Sequence, residues 1–314
     1  MRTAEVLNFP TRPLPGPLQD RMAELAALLQ RATPSEGVHA TSIAGLCAIR
    51  FSTPGIELDP LVHHPALCVI AQGSKHVMLR DELYAYDASR YLVFSVDLPI
   101  SSRIVHASPM QPYLCLRMDI DPAEVADLLL RASPAPAQAT GARRGLRLAG
   151  TTAEMLDAVL RLARLVEAPD DAPLLAPLAR QEILFRILKG PEGAQLTHIG
   201  LGNTPAFRVA KAIAWLKAHY RMPLRVEELA AQVHMSVSSL HHHFRTVTAM
   251  SPLQYQKQLR LQEARRLLLS GGLDAARVAH AVGYESRSQF SREYARCFGA
   301  PPSRDMQRLR ERIA

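Results

Sequence analysis

Three side chains near the end of the chain have the chemistry needed to read DNA bases. Arg287, Gln289 and Arg292 fall within a stretch of six residues. An arginine can donate two hydrogen bonds to O6 and N7 of guanine, and a glutamine can pair with N6 and N7 of adenine. This stretch therefore predicts direct contacts to base edges in a major groove.

A helix must present these side chains, and the sequence contains the pattern for such a helix twice. Leu229-Ala230-x-x-Val233 recurs as Val278-Ala279-x-x-Val282, and Leu240-x-x-x-Phe244 recurs as Phe290-x-x-x-Tyr294, at offsets of 49 and 50 residues. A self-similar unit of about 50 residues indicates one supersecondary motif used twice. The small residue in each copy lets two helices approach closely, which is the arrangement of a helix-turn-helix.

The repeat also predicts which residues of each recognition helix face outwards. Ser236 and Ser286 stand where helix N-caps are needed. Because the apolar repeat residues must face the core, the residues between them face out. In the first helix these are Ser238, Ser239, His241, His242 and Arg245, and in the second they are Arg287, Ser288, Gln289, Ser291, Arg292 and Arg296.

Other basic and hydroxyl residues are better candidates for phosphate contacts, which position a protein without specifying a sequence. They are Arg208, Lys211, Ser236, Arg245, Arg260, Ser286, Arg296 and Arg304. A solvated surface charge is the alternative for each arginine.

The charge of the chain is unevenly distributed. Residues 206–314 hold 18 Lys/Arg against 8 Asp/Glu, whereas residues 1–205 hold 19 against 21. A basic domain joined to a near-neutral one favours a polyanionic partner for the first and a different role for the second.

Residues 206–314 resemble the double helix-turn-helix domain of AraC-type transcription regulators. The second repeat carries the more specific signature, in Val278–Ser286, Ser288–Arg292 and Phe298–Ser303. The first repeat departs from it, since Ala249 stands where the family normally has a helix-ending glycine and two histidines replace the usual Ser-Arg pair. The resemblance implies a sequence-specific regulator that binds double-stranded DNA and has RNA polymerase as a further partner. Both an activator and a repressor fit this resemblance. It maps the base-reading positions onto Ser238, His241, His242, Arg287, Ser288, Gln289 and Arg292.

Short apolar runs between residues 37 and 119 predict an antiparallel sandwich or barrel. The segments Pro65–Lys75 and Val96–Pro99 resemble the sensor domain of one AraC branch, which implies a cupin-like barrel with a helical dimerisation segment. The predicted strands are Ala66–Ala71, His76–Leu79, Tyr91–Phe94, Ser102–His106 and Tyr113–Met118, with turns at 72–74 and 97–99.

The expected fold class is a multidomain α+β chain, with an N-terminal cupin-like β-barrel and an all-α C-terminal domain. The expected divisions are an arm (1–17), a sensor and dimerisation domain (18–190), a linker (191–205) and the double helix-turn-helix domain (206–314). Predicted helices are Leu18–Ala32, Ala123–Arg131, Thr152–Glu167, Pro177–Leu188 and Pro252–Ser270. The last of these would hold the two recognition helices about one DNA turn apart.

The segment 151–188 is predicted to form a homodimer contact. Its apolar stripe needs cover, and a second copy of the chain would supply it where the barrel does not. Packing of the stripe on its own barrel is the alternative. The stripe consists of Leu156, Val159, Leu160, Ala163 and Val166.

A barrel of about eight strands has room for one small ligand. A small-molecule effector is therefore expected to contact Cys68, Ile70, Gln72, Tyr84, Phe94, Arg103, His106 and Leu116, which alternate on predicted strands. Cys68 and Cys115 could lie on neighbouring strands and act as a thiol sensor, with inert buried cysteines as the alternative.

The alternative function from another class is a cupin-type metal-dependent enzyme with a DNA-binding tether. Its ligands would be His63, His64, Glu82 and His106, but adjacent strand residues face opposite ways. His241, His242 and His243 cannot converge on one ion either, because successive helical residues point about 100° apart. The sequence therefore favours a non-enzyme without metal or cofactor.

Composition bounds the remaining classes. Apolar residues make up 48% of 314, which excludes disorder of the whole chain. The four cysteines are widely spaced. The N-terminus has no pattern of a secretory signal, and no apolar run is long enough to span a membrane. A cytoplasmic protein with reduced thiols and no membrane contact is expected.

Overall fold

The computed structural model describes residues 5–7, 15–132, 144–190, 193, 196–197, 204–271 and 273–313. The chain forms two compact units, residues 1–207 and 208–314. Most of the expected arm and linker lie outside the described residues. No helix in the described part of the chain is both long and apolar enough to cross a membrane.

Two sheets form the β-structure of the first unit. The strands are β1 (Glu5–Leu7), β2 (Gly37–Ala40), β3 (Leu46–Phe51), β4 (Glu57–His63), β5 (Ala66–Gln72), β6 (Ser74–Leu79), β7 (Glu82–Asp87), β8 (Arg90–Phe94), β9 (Leu98–His106), β10 (Tyr113–Asp119) and β11 (Leu146–Gly150). One sheet has the order β1-β7-β6-β9-β4 and the other β11-β8-β5-β10-β3-β2. Within the expected arm, β1 pairs in parallel with β7.

Each predicted strand is present, but the predicted turn at 97–99 is wrong. β9 begins at Leu98, and its Pro99 pairs with Val62 of β4. On its other side, β9 pairs with β6 only from Ser101 onwards. The missing N–H of the proline therefore removes no hydrogen bond from that second ladder.

Helices cover one face of the six-stranded sheet. They are α1 (Gly16–Ala32), α2 (Pro122–Ala132), α3 (Ala153–Arg164), which continues as a 3-10 turn (Leu165–Glu167), and α4 (Ala172–Lys189). Leu25 of α1 and Leu156 of α3 share one buried cluster with Val69 and Leu116 of the sheet. Thr152 caps α3, since its hydroxyl accepts a hydrogen bond from Met155 N at 3.2 Å.

α4 starts earlier than its prediction. Pro177 was expected at the first position, where its missing N–H has no cost. Instead the helix starts at Ala172 and runs through Pro177. Because Pro177 has no backbone N–H, the helical hydrogen bond from residue 177 to Pro173 O is missing. Burial of Ile183 and Leu184 later in the helix stabilises it in spite of this loss.

The apolar stripe of α3 does not face outwards. Leu156, Val159, Leu160 and Ala163 are buried among the residues of their own unit, and Val166 packs against the same cluster. The prediction that this stripe covers a second copy is therefore wrong, because the sheet and the neighbouring helices already cover it.

The second unit is helical. Its helices are α5 (Pro205–His219), α6 (Val226–Gln232), α7 (Val237–Thr248), α8 (Pro252–Ser270), α9 (Ala275–Ala281), α10 (Arg287–Phe298) and α11 (Pro302–Ile313). The predicted bounds of α8 are confirmed, and a capping box of Ser251 and Gln254 starts it. Tyr255 of α8 packs against Phe244 of α7 with ring centroids 5.5 Å apart. Further along, Leu261 and Leu268 join the core of α9 and α10, so α8 supports both repeats.

Candidate nucleic-acid interface and candidate effector pocket

α7 and α10 are built alike and are the candidate recognition helices. The Ser236 and Ser286 hydroxyls accept hydrogen bonds from Ser239 N and Gln289 N, each at 3.2 Å, so both predicted N-caps are confirmed. The inward residues of both helices are fully buried, as expected. They are Leu240 and Phe244 in α7, and Phe290 and Tyr294 in α10.

The opposite faces of these helices are open to solvent. The exposed residues include all seven predicted base-reading positions, together with Arg245 and Arg296: Ser238, His241, His242, Arg245, Arg287, Ser288, Gln289, Arg292 and Arg296. Arg304, at the start of α11, is exposed as well. Within the described residues, no hydrogen bond or ion pair engages Arg287, Arg292, Arg296 or Arg304. Their guanidinium groups can therefore meet a polyanion without first breaking an internal contact.

The turn in each repeat passes through a left-handed residue. His234 has φ 53° in the first turn and Gly283 has φ 89° in the second. The Arg208 guanidinium donates to His234 O at 2.9 Å, which places this predicted phosphate contact beside the first turn. A Cβ on Gly283 would lie 2.2 Å from Arg221 O, so the second turn requires glycine for space as well as for conformation.

Arg260 was predicted to contact phosphate, and the structure corrects this. Its guanidinium donates to four carbonyl oxygens: Tyr220 O at 2.6 Å, Gly283 O at 2.8 Å, Met222 O at 3.0 Å and Arg221 O at 3.1 Å. Burial lowers the pKa of Arg260. The side chain therefore joins α8 to the chain after α5 and to the second turn, and it is not available to DNA.

Glu293 anchors the second recognition helix and was missed in the sequence. Its carboxylate accepts hydrogen bonds from Lys257 Nζ at 2.7 Å, from Tyr284 Oη at 2.8 Å and from Gln289 Nε2 at 3.2 Å. Gln289 is thus held in a defined orientation on the exposed face. The i to i+4 spacing of Gln289 and Glu293 was the available signal.

Several of the residues expected to line an effector pocket lie between the two sheets, on the face of β5 that the helices do not cover. Cys68, Ile70, Tyr84 and Phe94 are buried as expected, and Gln72 is partly buried with its amide donating to Pro112 O at 2.8 Å.

Three predicted pocket residues lie elsewhere. Arg103 is exposed on the outer face of β9, and His106 is exposed at the strand end, 2.6 Å from Ser74 Oγ. Leu116 faces the helices. Successive strand residues alternate between the two faces of a sheet. The prediction placed Leu116 and Arg103 on the inner face, whereas each lies on the opposite face of its strand.

A polar cluster that the sequence analysis missed fills part of the space between the sheets. The thiols of Cys68 and Cys115 lie near each other and near Lys75, and the Cys115 thiol donates to Leu116 O at 3.6 Å. Lys75 is 7% exposed, and burial lowers the pKa of its amine. Tyr113 Oη is buried near Cys115 and Tyr86, and no hydrogen bond within the described residues satisfies it. The alternation of Lys75 with Val77 and Leu79 was the signal for an inward lysine.

The residues of the alternative metal site are engaged separately. His64 Nδ1 lies 2.5 Å from Asp97 Oδ1, and Glu82 accepts hydrogen bonds from Arg144 and Tyr84. His63 stacks on Phe94 with centroids 5.3 Å apart. Across the described parts of the chain, no three His, Cys, Asp or Glu side chains gather as a metal site.

Two family models match the chain. The model described as the N-terminus of AraC-type transcriptional regulators matches residues 42–195, and a helix-turn-helix domain model matches residues 229–308. The first covers β3 to β11 with α2 to α4, and the second covers both recognition helices.

The curated relatives are regulators of transcription. CdhR of Pseudomonas aeruginosa is 32% identical over 160 residues, covering 50% of this chain and 46% of that protein. RhaS of Salmonella schwarzengrund is 29% identical over 159 residues, covering 51% and 56%. VirF of Yersinia enterocolitica is 28% identical over 149 residues, covering 46% and 53%. The matched region thus spans about half the length of these relatives.

A solved structure shares the fold over most of the chain. Apo ToxT K231A from Vibrio cholerae has a TM-score of 0.53 and 12% identity, covering 87% of this chain and 98% of that one. This likeness supports the α+β two-domain fold class.

Proposed function

The chain belongs to the AraC-type transcriptional regulators, and from this premise we propose that it binds specific DNA sites through α7 and α10 and regulates transcription there. One observation carries the proposal: two helices with matching caps and buried faces expose their polar residues in a unit with a large excess of positive charge. This is the arrangement by which helix-turn-helix proteins enter successive major grooves.

The two helices divide the work. α10 presents Arg287, Gln289 and Arg292, which can make paired hydrogen bonds to a base. α7 presents Ser238, His241 and His242, which make single bonds to bases. Discrimination between sequences should therefore be strongest under α10. Arg208, Lys211, Arg245, Arg296 and Arg304 contact phosphates in this proposal, together with Ser236 and Ser286.

A small molecule bound between the sheets regulates this activity. Cys68, Ile70 and Phe94 supply apolar surface there. Lys75 and the Tyr113 hydroxyl, which has no hydrogen bond within the described residues, supply polar contacts. An unpartnered buried hydroxyl has a cost that a ligand acceptor or donor would remove. Among proteins of this fold, ToxT has been crystallised with an unsaturated fatty acid bound.

The protein acts as a homodimer through the start of α4. Leu174 and Leu178 are 74% and 57% exposed, and Leu175, Pro173 and Pro177 are exposed beside them. A contiguous apolar patch on one helix face is the kind of surface that a second copy covers. Leu174→Asp with Leu178→Asp should leave the fold intact and yield a monomer in sedimentation at tens of micromolar. A wild type that is already monomeric there contradicts this step.

In this proposal the whole protein regulates transcription and does not catalyse a reaction. RNA polymerase is its second partner, bound on the same DNA. The curated relatives are regulators, and the residues of the alternative cupin enzyme bind one another instead of a shared ion.

Selection of bound sites from random DNA tests the proposal. The full chain should enrich one sequence motif. Arg292→Ala should weaken binding by about 1–3 kcal/mol and relax the preference at one base pair. Arg161→Ala is the matched control, because its ion pair with Glu182 lies in the other unit; it should leave the motif unchanged.

Two results would count against the proposal. Absence of any enriched motif contradicts sequence-specific binding. A motif unchanged by Arg292→Ala means that this arginine positions α10 without reading a base.

Arg296→Ala should instead weaken all sequences alike and lower the slope of log K against log salt by about one.

A further inference from the structure

A cavity lies on the helix-covered side of the six-stranded sheet, away from the residues proposed to bind the effector. It has a volume of about 230 Å³ and is enclosed by the end of α1, strands β3 and β10, the end of α3 and the 3-10 turn. Leu116, which was expected in the effector pocket, forms part of its wall. The sheet therefore separates this cavity from the residues that lie between the two sheets.

The deep part of this cavity is apolar. Leu28, Leu29, Leu116 and Ala163 line it, and each is buried. Thr41 is the polar residue within it, and its hydroxyl already donates to Leu46 O at 2.9 Å. Nothing in the depth of the cavity needs a polar partner, so the buried part of any occupant must be apolar.

The mouth of the cavity is charged. Arg31 and Glu167 both line the cavity, and their side chains are 57% and 47% exposed. Arg31 Nε lies 2.6 Å from Glu167 Oε1, and Arg31 Nη2 lies 3.2 Å from Oε2. This pair uses two of the five N–H donors of the guanidinium. Within the described residues, the edge that carries Nη1 has no hydrogen-bond partner.

An apolar interior with a guanidinium at the rim selects for an amphipathic anion. Arginine presents two parallel N–H donors, and a ligand carboxylate can accept both. A ligand ammonium group is itself a donor and cannot accept either of them. Because Glu167 is half exposed, water can solvate it if the ligand takes its place, so displacement costs little. A cavity of this size lies between the roughly 150 Å³ that holds benzene and the roughly 300 Å³ of a small drug pocket. It suits an occupant of about eight to ten heavy atoms.

We propose that this cavity is a binding site for a small amphipathic carboxylate, whose apolar chain enters between α1 and β10 and whose carboxylate pairs with Arg31. Binding would link the end of α1 to the 3-10 turn that precedes α4, where the proposed dimer patch begins. Only this last link to regulation rests on the proposed function; the binding step does not.

Titration calorimetry of the full chain with octanoate, octylamine and 1-octanol tests the proposal. Octanoate should bind most tightly. Ala163→Met fills the cavity and should weaken octanoate at least tenfold, with Ala32→Leu at the rim as a second filling variant if the first does not fold. Arg31→Gln should weaken octanoate but not octanol, and Glu167→Gln should strengthen octanoate.

Arg161→Gln is the matched control, because Arg161 of α3 forms a partly exposed ion pair with Glu182 of α4 and does not line the cavity. It should leave octanoate affinity unchanged. The proposal is overturned if octanoate does not bind, if both cavity-filling variants bind it like the wild type, or if octylamine binds more tightly. None of these readouts involves DNA, so their failure is distinct from failure to enrich a DNA motif.

Discussion

The guanidinium of Arg265 forms a bidentate ion pair with the carboxylate of Asp305 in the interior of the DNA-binding unit. Nε lies 2.9 Å from Oδ2 and Nη2 lies 3.1 Å from Oδ1, and both side chains are buried. Tyr294 Oη also donates to Oδ2 at 2.8 Å. The pair therefore ties α8 and α11 to the buried side of the second recognition helix.

Removal of one partner of this pair should destabilise the unit strongly. Asp305→Ala leaves a buried guanidinium uncompensated, and we expect a loss of about 3–5 kcal/mol in the free energy of unfolding. Trp215, the single tryptophan of the chain, lies in α5, so its fluorescence during urea unfolding reports on this unit. Glu263→Ala is the control: it breaks an exposed pair with Arg266 and should cost under about 1 kcal/mol. Equal losses in the two variants would contradict this reasoning.

Ala249 ends the first recognition helix in a conformation that suits glycine. Its φ is 61°, and the equivalent residue of the second repeat, Gly299, has φ 75°. A left-handed alanine costs roughly 1–2 kcal/mol that glycine does not pay, partly offset by the greater entropy of glycine in the unfolded chain. Ala249→Gly should therefore stabilise the unit by about 1 kcal/mol.

The same measurement by Trp215 fluorescence checks this change against two controls. Gly299→Ala should destabilise by a similar amount, for the reverse reason. Ala231→Gly, within helix α6, should also destabilise by about 1 kcal/mol, because glycine is a poor helix former. If Ala249→Gly behaves like Ala231→Gly, the left-handed conformation is not the reason.

Gly283 cannot accept a side chain in the second turn. An added Cβ would meet Arg221 O at 2.2 Å and Arg260 Nη2 at 3.0 Å, and the first of these atoms is backbone. Gly283→Ala should therefore cost more than the roughly 1–2 kcal/mol of its positive φ alone, and DNA affinity should fall with it. His234→Ala in the first turn is the control. His234 already carries a Cβ at a positive φ, so alanine adds no atom there and should change stability little.

His63 should make the first unit less stable in acid. Burial, with Lys75 and Arg117 nearby, lowers the pKa of His63 to about 3. In the unfolded chain the pKa is near 6.5, so between these values the unfolded state binds more protons and stability falls as the pH falls. The loss should reach the order of 4 kcal/mol near pH 3. His63→Phe should flatten this part of the profile in urea midpoints followed by circular dichroism. A wild-type profile that is already flat from pH 6.5 to 4 contradicts the assignment.

The helical repeat was accessible from the sequence because its signals reinforce one another. The burial of Leu240 and Phe290, the caps at Ser236 and Ser286 and the bounds of α8 all follow from local spacing. The role of an arginine does not. Arg260 and Arg292 both lie on amphipathic helices, but only the fold shows that Arg260 meets four carbonyl groups while Arg292 meets solvent.

The effector pocket was harder to predict for a related reason. β10 is apolar on both faces, because helices cover one and the second sheet covers the other. Its sequence therefore does not reveal that Cys115 faces inwards and Leu116 faces the helices, since alternation of polar and apolar residues is lost in a strand buried on both sides. Arg103 was misplaced because it lies on the outer face of β9, and His106 because it stands at the exposed end of that strand.

The four hydrogen bonds of Arg260 also constrain the DNA that this protein can accept. They fix the second turn to the chain that follows α5, so the two recognition helices cannot adjust their separation or relative rotation independently. One extra base pair between the half-sites would rotate one of them by about 34–36° around the duplex axis. In the proposed binding mode, such an operator would be bound only by twisting the DNA or by giving up one half-site, so operator spacing would be as strict a requirement as operator sequence.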